Sequence, residues 1–421
     1  MASKKMLTGN ASAAWGARVS DVDYIVAYPI TPQTEIVETL ASWVRQGSLR
    51  AKFVNFESEH SMFAAAGAAS LTGARAFTAS SSQGLLYGLE SLYAVAGWRA
   101  PLVFVNAARG VGMPMVLQVE HGDVLSARDS GFIQLHAENC QEVLDFILLG
   151  YRIGEDRRVM LPVIVNMDGF VLSFAREPVE VPASDMVREF LPPYEHPLPL
   201  LGLENQSVAI GPTITDGYAY SYFKYQIHEA SLKSKDVFLE AADDFRRIFG
   251  RSHAPVESFM TDDAEYVFVV SNSYSTVLRS EVRALRARGK RVGMVSLKMI
   301  RPFPRREVAQ SLKSAKAVAV YEQNLGPGRG GAIHPEVTEA VYHAKTRPQV
   351  IVPFVGGLGG TPLGRREVNY MLAKCDERLK DGGEPEGVSL LYAEEDWQKM
   401  KKSLVTAGLS DGEEETNDAR A

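Results

Sequence analysis

Thr31, Glu59, Ser82, Gln83 and Arg109 are polar or charged side chains placed just beyond short apolar runs of the chain. Loops in such places are where binding and catalytic groups collect. Thr31 precedes Pro32 at the first turn of a predicted helix, so its plain reading is an N-cap with proline at the next position. The sharper reading turns the hydroxyl and the helix N-terminus toward a ligand carboxylate. Glu57 suits the positive end of a helix and needs no further explanation. Glu59 is different, because the helix it opens runs Met62-Phe63-Ala64-Ala65-Ala66-Gly67 and reads as buried. A carboxylate at such a mouth requires a specific partner. Ser80-Ser81-Ser82-Gln83-Gly84 is either a capped loop or a small-residue wall that a cofactor can approach closely. Arg109 stands before the loose run Gly110-Val111-Gly112-Met113-Pro114. It is either a solvated surface group or a planar clamp for a carboxylate.

These positions are set by elements that alternate along the chain. Short apolar runs at Tyr24–Tyr28, Phe53–Phe56, Ala76–Ala79, Leu102–Asn106 and Val163–Asn166 are each bounded by turn residues or helical spacing, and each reads as buried on both faces. A doubly wound parallel sheet, an α/β fold, explains them economically. In such sheets ligands gather at the carboxyl ends of strands, where the polar residues above lie. Between Glu177 and Asp263 repeated prolines break the pattern, and an aromatic-rich piece from Tyr218 to Tyr225 precedes a helical stretch ending near Phe249. Alternation resumes at Tyr266–Val270, Val292–Leu297, Ala317–Tyr321 and Val350–Val355. The expected division is a first domain over residues 1–176, a connecting segment over 177–263, a second α/β domain over 264–395, and a Lys-rich helix with an acidic tail over 396–421. The tail, with Asp411-Gly412-Glu413-Glu414-Glu415, reads as too polar to pack.

Composition excludes several classes. With 421 residues, 46% hydrophobic and 23% charged, the chain reads as globular and needs no staple of disulfides or metal. A net charge of −6 without a basic block lacks the footprint for nucleic acid. Cys140 and Cys375 stand far apart, so the chain itself cannot ligate an iron–sulfur cluster, and their usage suits a reducing compartment. The eight histidines show no metal-binding spacing, so no metal site is expected. The glycine-rich pieces Gly326–Gly331 and Gly356–Gly360 match neither dinucleotide nor P-loop fingerprints and read first as tight turns. No signal-like start and no 18-residue apolar stretch occurs, so the expected setting is cytoplasmic, away from membranes.

The motif Tyr28-Pro29-Ile30-Thr31-Pro32-Gln33-Thr34 resembles one found in the α subunits of thiamine-diphosphate-dependent 2-oxoacid:acceptor (ferredoxin) oxidoreductases. In the family's order there follow Glu57-Ser58-Glu59, Phe77-Thr78-Ala79-Ser80-Ser81-Ser82-Gln83-Gly84, Arg109, Asp168-Gly169-Phe170, Arg301-Pro302-Phe303-Pro304 and Gly357-Leu358-Gly359-Gly360. The resemblance implies a pyrimidine-binding domain followed by a transketolase C-terminal-like domain. It also implies a β subunit that supplies the Mg2+ and diphosphate site, with γ and ferredoxin-like δ subunits carrying iron–sulfur clusters. A further electron-acceptor subunit is compatible with it. Glu59 would hydrogen-bond N1′ of the cofactor's aminopyrimidine, favouring the imino tautomer that removes the thiazolium C2 proton. Ser82 and Gln83 would line the cofactor, and Thr31 and Arg109 would hold the 2-oxoacid carboxylate. The implied reaction is oxidative decarboxylation to an acyl group that coenzyme A carries away.

Two departures bear on the substrate. Pyruvate-using members carry a more polar loop after the arginine, whereas Gly110-Val111-Gly112-Met113-Pro114-Met115-Val116 stands here, and the family's Ser-His after Asp-Gly-Phe is Ser173-Phe174. Methionine adapts to flat rings, so the expectation is a bulky or aromatic acid such as phenylglyoxylate. Pyruvate, a branched-chain acid, or a non-catalytic docking subunit are the alternatives.

Overall fold

The computed structural model describes residues 3–197, 209–382, 387–392 and 394–406. Its strands in chain order are β1 (Ser3–Thr8), β2 (Tyr24–Ala27), β3 (Lys52–Asn55), β4 (Ala76–Ser80), β5 (Val103–Ala108), β6 (Ile133–His136), β7 (Val163–Asp168), β8 (Arg176–Val181), β9 (Val256–Phe259), β10 (Tyr266–Ser271), β11 (Val292–Leu297), β12 (Met299–Arg301), β13 (Ala317–Glu322), β14 (Val350–Val355) and β15 (Ser389–Leu390). The first large sheet has the order β12-β6-β7-β5-β4-β2-β3 and is parallel except for β12. The second has the order β15-β14-β13-β10-β11-β9 and is parallel except for β9. Helices cover both faces of the first sheet. Gly9–Val19 and Cys140–Gly154 pack on one side, with Glu59–Leu71 and Leu89–Gly97 on the other. The expected doubly wound α/β fold is what forms.

The apolar runs become strands because every residue of β4, β5 and β7 is enclosed, which favours continuous Val, Ile, Phe and Ala. β3 departs from the expectation of two buried faces. It is the sheet's edge, and Lys52 and Asn55 are exposed. Val269, Val295 and Val320 of the second sheet share one apolar cluster with Val26 and Phe104 of the first and Phe63 of the helix Glu59–Leu71, so the two sheets are joined through a common core.

Between the two sheets the sequence reading needs two corrections. Pro178 breaks nothing, because it lies in β8, which pairs only with β1, where a missing N–H costs no ladder bond on the open side. The aromatic piece is not separate from the helical stretch: Gly217–Phe249 is one helix of 33 residues with no internal proline, ending at Gly250 with φ 74°. Ala230 is the first buried residue of that helix, and Tyr218, Tyr220, Tyr222, Phe223 and Tyr225 stand exposed before it. The Lys-rich helix forms at Glu394–Thr406, while Asp411–Glu415 lie outside the described residues. Among the described residues no helix is long and apolar enough to cross a membrane.

Candidate active site

The loop after β2 does not cap a helix with Thr31. The Thr31–Pro32 peptide is cis, and the helix starts three residues later, at Thr34, with Gln33 as a cap whose side chain makes no capping bond. Thr31 is exposed at the turn. Buried neighbours hold the loop in place: Asn10 Nδ2 donates to Pro32 O at 2.9 Å, and Gln33 Nε2 donates to Tyr28 O at 2.9 Å. Gly169 closes the back of the turn, since a Cβ there would stand 2.3 Å from Ala108 O and 3.0 Å from Pro32 Cγ.

Glu59 is the first residue of the helix Glu59–Leu71, behind an N-cap in which Ser58 accepts from Ser61 N. It is 5% exposed, and burial pushes its carboxyl above the usual carboxylate range. No side-chain donor reaches that carboxylate among the described residues, although the helix is buried on one face only, with His60 and Ala68 exposed, and not throughout as the sequence suggested. Gly84 packs directly on it: a Cβ would lie 2.2 Å from Glu59 Oε1 and 2.6 Å from Ser80 Oγ. Ser80 Oγ is itself buried without a partner. Glu57 accepts from Ser61 Oγ, which lowers its pKa.

Arg109 is 5% exposed, so the solvated reading fails. Its Nη1 donates to Thr31 O at 2.6 Å and its Nη2 to Gln83 Oε1 at 2.6 Å, which brings three sequence-selected residues together. Its Nε is buried with no acceptor. Burial lowers the guanidinium's pKa and the nearby Asp123 opposes that shift. Ser82 Oγ lies 2.5 Å from both Gly110 O and Gln83 Oε1, so its hydroxyl faces the protein.

Asp123, in the short helix Gly122–Ser126, was not singled out by the sequence. It is fully buried and accepts from Ser82 N, Arg109 N and Asn106 Nδ2 at 2.9, 3.1 and 3.2 Å. Its neighbour His121 is paired with Asp168 at 2.7 Å. In the loop between them and Arg109, Val116 folds back over Gly110, while Met113 and Met115 are 83% and 59% exposed.

The family description "Pyruvate flavodoxin/ferredoxin oxidoreductase, thiamine diP-bdg" matches residues 16–243, and "Pyruvate:ferredoxin oxidoreductase core domain II" matches residues 264–368. Pyruvate synthase subunit PorA of Methanothermobacter thermautotrophicus is 38% identical over 373 residues, covering 88% of this chain and 95% of the relative. Ketoisovalerate oxidoreductase subunit VorA of Pyrococcus horikoshii is 35% identical over 400 residues, covering 95% of this chain and 98% of the relative. In fold the chain is similar to the 2-oxoglutarate:ferredoxin oxidoreductase of Magnetococcus marinus, with a TM-score of 0.65 at 19% identity. That likeness covers 88% of this chain and 65% of the other. The matched length, the order of motifs and the joined parallel sheets agree, and the chain belongs to the pyruvate flavodoxin/ferredoxin oxidoreductase family, as an α subunit of the thiamine-diphosphate-dependent 2-oxoacid:ferredoxin oxidoreductases.

Proposed function

We propose that this chain, in complex with partner subunits, takes part in the coenzyme A-dependent oxidative decarboxylation of a 2-oxoacid to an acyl-CoA and carbon dioxide. The observation that carries the reading is Arg109. It is buried, two of its nitrogens are fixed by Thr31 O and Gln83, and Nε is left without an acceptor. A buried guanidinium edge of that kind suits a carboxylate that arrives with the substrate. Arg109 and Thr31 bind and orient the acid, so that its keto carbon is presented in a fixed direction.

The residues beside them suit the pyrimidine end of thiamine diphosphate. Glu59 is held at a helix mouth with a raised pKa and no side-chain donor, and Gly84 leaves its carboxyl uncovered by any Cβ. A carboxyl of this kind shares a proton with a ring nitrogen more readily than a solvated one does. Ser82 and Gln83 form the adjoining wall. When bound, the cofactor supplies the nucleophilic carbon at which the substrate loses carbon dioxide. The Mg2+ and diphosphate contacts are assigned to a β subunit, and electron transfer to iron–sulfur clusters on γ and ferredoxin-like δ subunits and any further acceptor subunit. The pyrimidine-side domain is placed within residues 1–176 and the transketolase C-terminal-like domain within 264–395. Unbridged Cys140 and Cys375 support a cytoplasmic setting.

For the substrate, the names of the relatives favour pyruvate or a branched-chain 2-oxoacid over phenylglyoxylate. The test is the purified complex assayed with pyruvate, 2-oxoisovalerate and phenylglyoxylate, each with coenzyme A and an artificial acceptor. An aliphatic preference is expected. Preference for phenylglyoxylate would reinstate the aromatic reading, and no turnover with any 2-oxoacid would overturn the assignment.

A further inference from the structure

Glu59, Gln83 and Arg109 all come from the first sheet, yet the ground beneath Arg109 is fastened from the second. Asp123 fixes the backbone of Arg109 and Ser82 at once through two N–H bonds to a single oxygen, Oδ2. It sits in the helix Gly122–Ser126, whose 5 residues are too few to hold their own conformation. The residue that starts this helix is His121, 2% exposed, and it is tied on two sides. Its backbone N–H donates to Gln323 O at 2.8 Å, at the end of β13 in the second sheet. Its Nε2 lies 2.7 Å from Asp168 Oδ1. The other oxygen of Asp168 accepts from Ser273 N at 3.1 Å and from Ser273 Oγ, just beyond β10 of the second sheet. Asp168 is fully buried, and its next residue, Gly169, donates to Ala108 O at 2.9 Å, one residue before Arg109.

We infer that His121 is a positioning residue for the substrate carboxylate, through which the second domain sets the substrate clamp of the first. Gln323 and Ser273 hold the His121–Asp168 pair, the pair holds the start of the short helix, and Asp123 within it aims Arg109 and steadies Ser82. Glu59 lies on another helix and shares no hydrogen bond with these groups, so the effect falls first on substrate binding and reaches the cofactor side only through Ser82. The inference rests on the reading of Arg109 given above.

The experiment is steady-state kinetics of the complex purified with its partner subunits, on whichever 2-oxoacid the wild type prefers, with thermal midpoints recorded alongside. His121→Ala is expected to raise KM about tenfold while kcat stays within about twofold, because a small misplacement of a clamp is costly. The concentration of thiamine diphosphate giving half-maximal activity should shift less than KM does. His121→Gln should recover most of the loss, since its amide N–H can still reach Asp168. Ser273→Ala, a change made wholly in the second domain, should raise KM in the same direction. In an Arg109→Lys background, His121→Ala should add little. If Arg109→Lys raises KM but His121→Ala and Ser273→Ala do not, the inference alone fails. If Arg109→Lys itself leaves KM unchanged, the reading of Arg109 fails first. A lower thermal midpoint with KM untouched would reduce His121 to a structural role, and should His121→Ala not assemble, Ser273→Ala and His121→Gln decide by the same criteria.

Discussion

Glu59 and Gly84 stand so close that neither can be altered alone. Gly84→Ala would place a methyl group 2.2 Å from Glu59 Oε1, and the carboxylate, not the backbone, is the part free to move. Turnover is therefore expected to fall by about 10²-fold or more, as for Glu59→Gln, with assembly retained. Wild-type rates in purified Gly84→Ala complex would separate Glu59 from the cofactor's chemistry. Thr31 offers a contrasting case. Because Gln33 and not Thr31 precedes the helix, Thr31→Ala should leave stability within about 0.5 kcal/mol of the wild type, instead of the ~1 kcal/mol that losing a cap removes. Its cost should appear as a higher KM for the 2-oxoacid, and a lowered thermal midpoint with normal KM would restore the capping view. Glu59 was legible in the sequence because a carboxylate heading a run of alanines is conspicuous. Asp123 and His121 were not, because His-Gly-Asp after a loop looks like an ordinary turn and their partners Ser82, Asn106, Arg109 and Asp168 lie on other elements.

At the level of elements, the parallel strands were legible because burial on both faces leaves an unbroken apolar signature. Short strands paired at a distance leave none: β12 has three residues, and only its pairing with β6 defines it. Buried charge explains how the seam between the sheets is fixed. Lys298 Nζ lies 2.6 Å from Glu142 and 2.8 Å from Glu138, completely enclosed. Lys298→Met would strand two carboxylates together and should lower stability by about 3–5 kcal/mol, with partial recovery on adding Glu142→Gln. An unchanged thermal midpoint would show the seam to be held by its apolar contacts instead. Glu322, at the end of β13, accepts from the N–H groups of Ile333 and His334 at 2.6 and 2.8 Å, and burial raises it from 4.5 to about 7. A carboxyl raised on folding favours the folded state when protonated. Stability should thus be greatest below about pH 4.5 for this group and decline as pH climbs toward about 7, by up to about 3 kcal/mol. Glu322→Gln should flatten that decline in thermal midpoints measured across the interval. A slope equal to that of the wild type would locate the pH dependence elsewhere.

As a whole molecule, the subunit on the reading proposed above supplies one side of a cofactor site. Glu138, Glu142 and Glu257 are, among the described residues, the one acidic group close enough to hold a cation, and the Lys298 ammonium already lies among them. The chain expressed alone should then bind thiamine diphosphate weakly or not at all in calorimetry, and tight binding in the presence of Mg2+ would reveal a diphosphate site on this subunit. The strand β12 carries a different kind of consequence. It belongs by sequence to the second half of the chain and by hydrogen bonding to the sheet of the first, where it covers β6. A crossover between two related genes in the stretch before β9 would look harmless on a domain map, yet each recombinant would inherit the rim of its first sheet from the other parent. Fragments cut there would bare β6 along its length and invite edge-to-edge association. Shuffling in this lineage should accordingly succeed when Met299–Arg301 travel with residues 133–136 as one exchangeable unit, and yield insoluble hybrids when they do not.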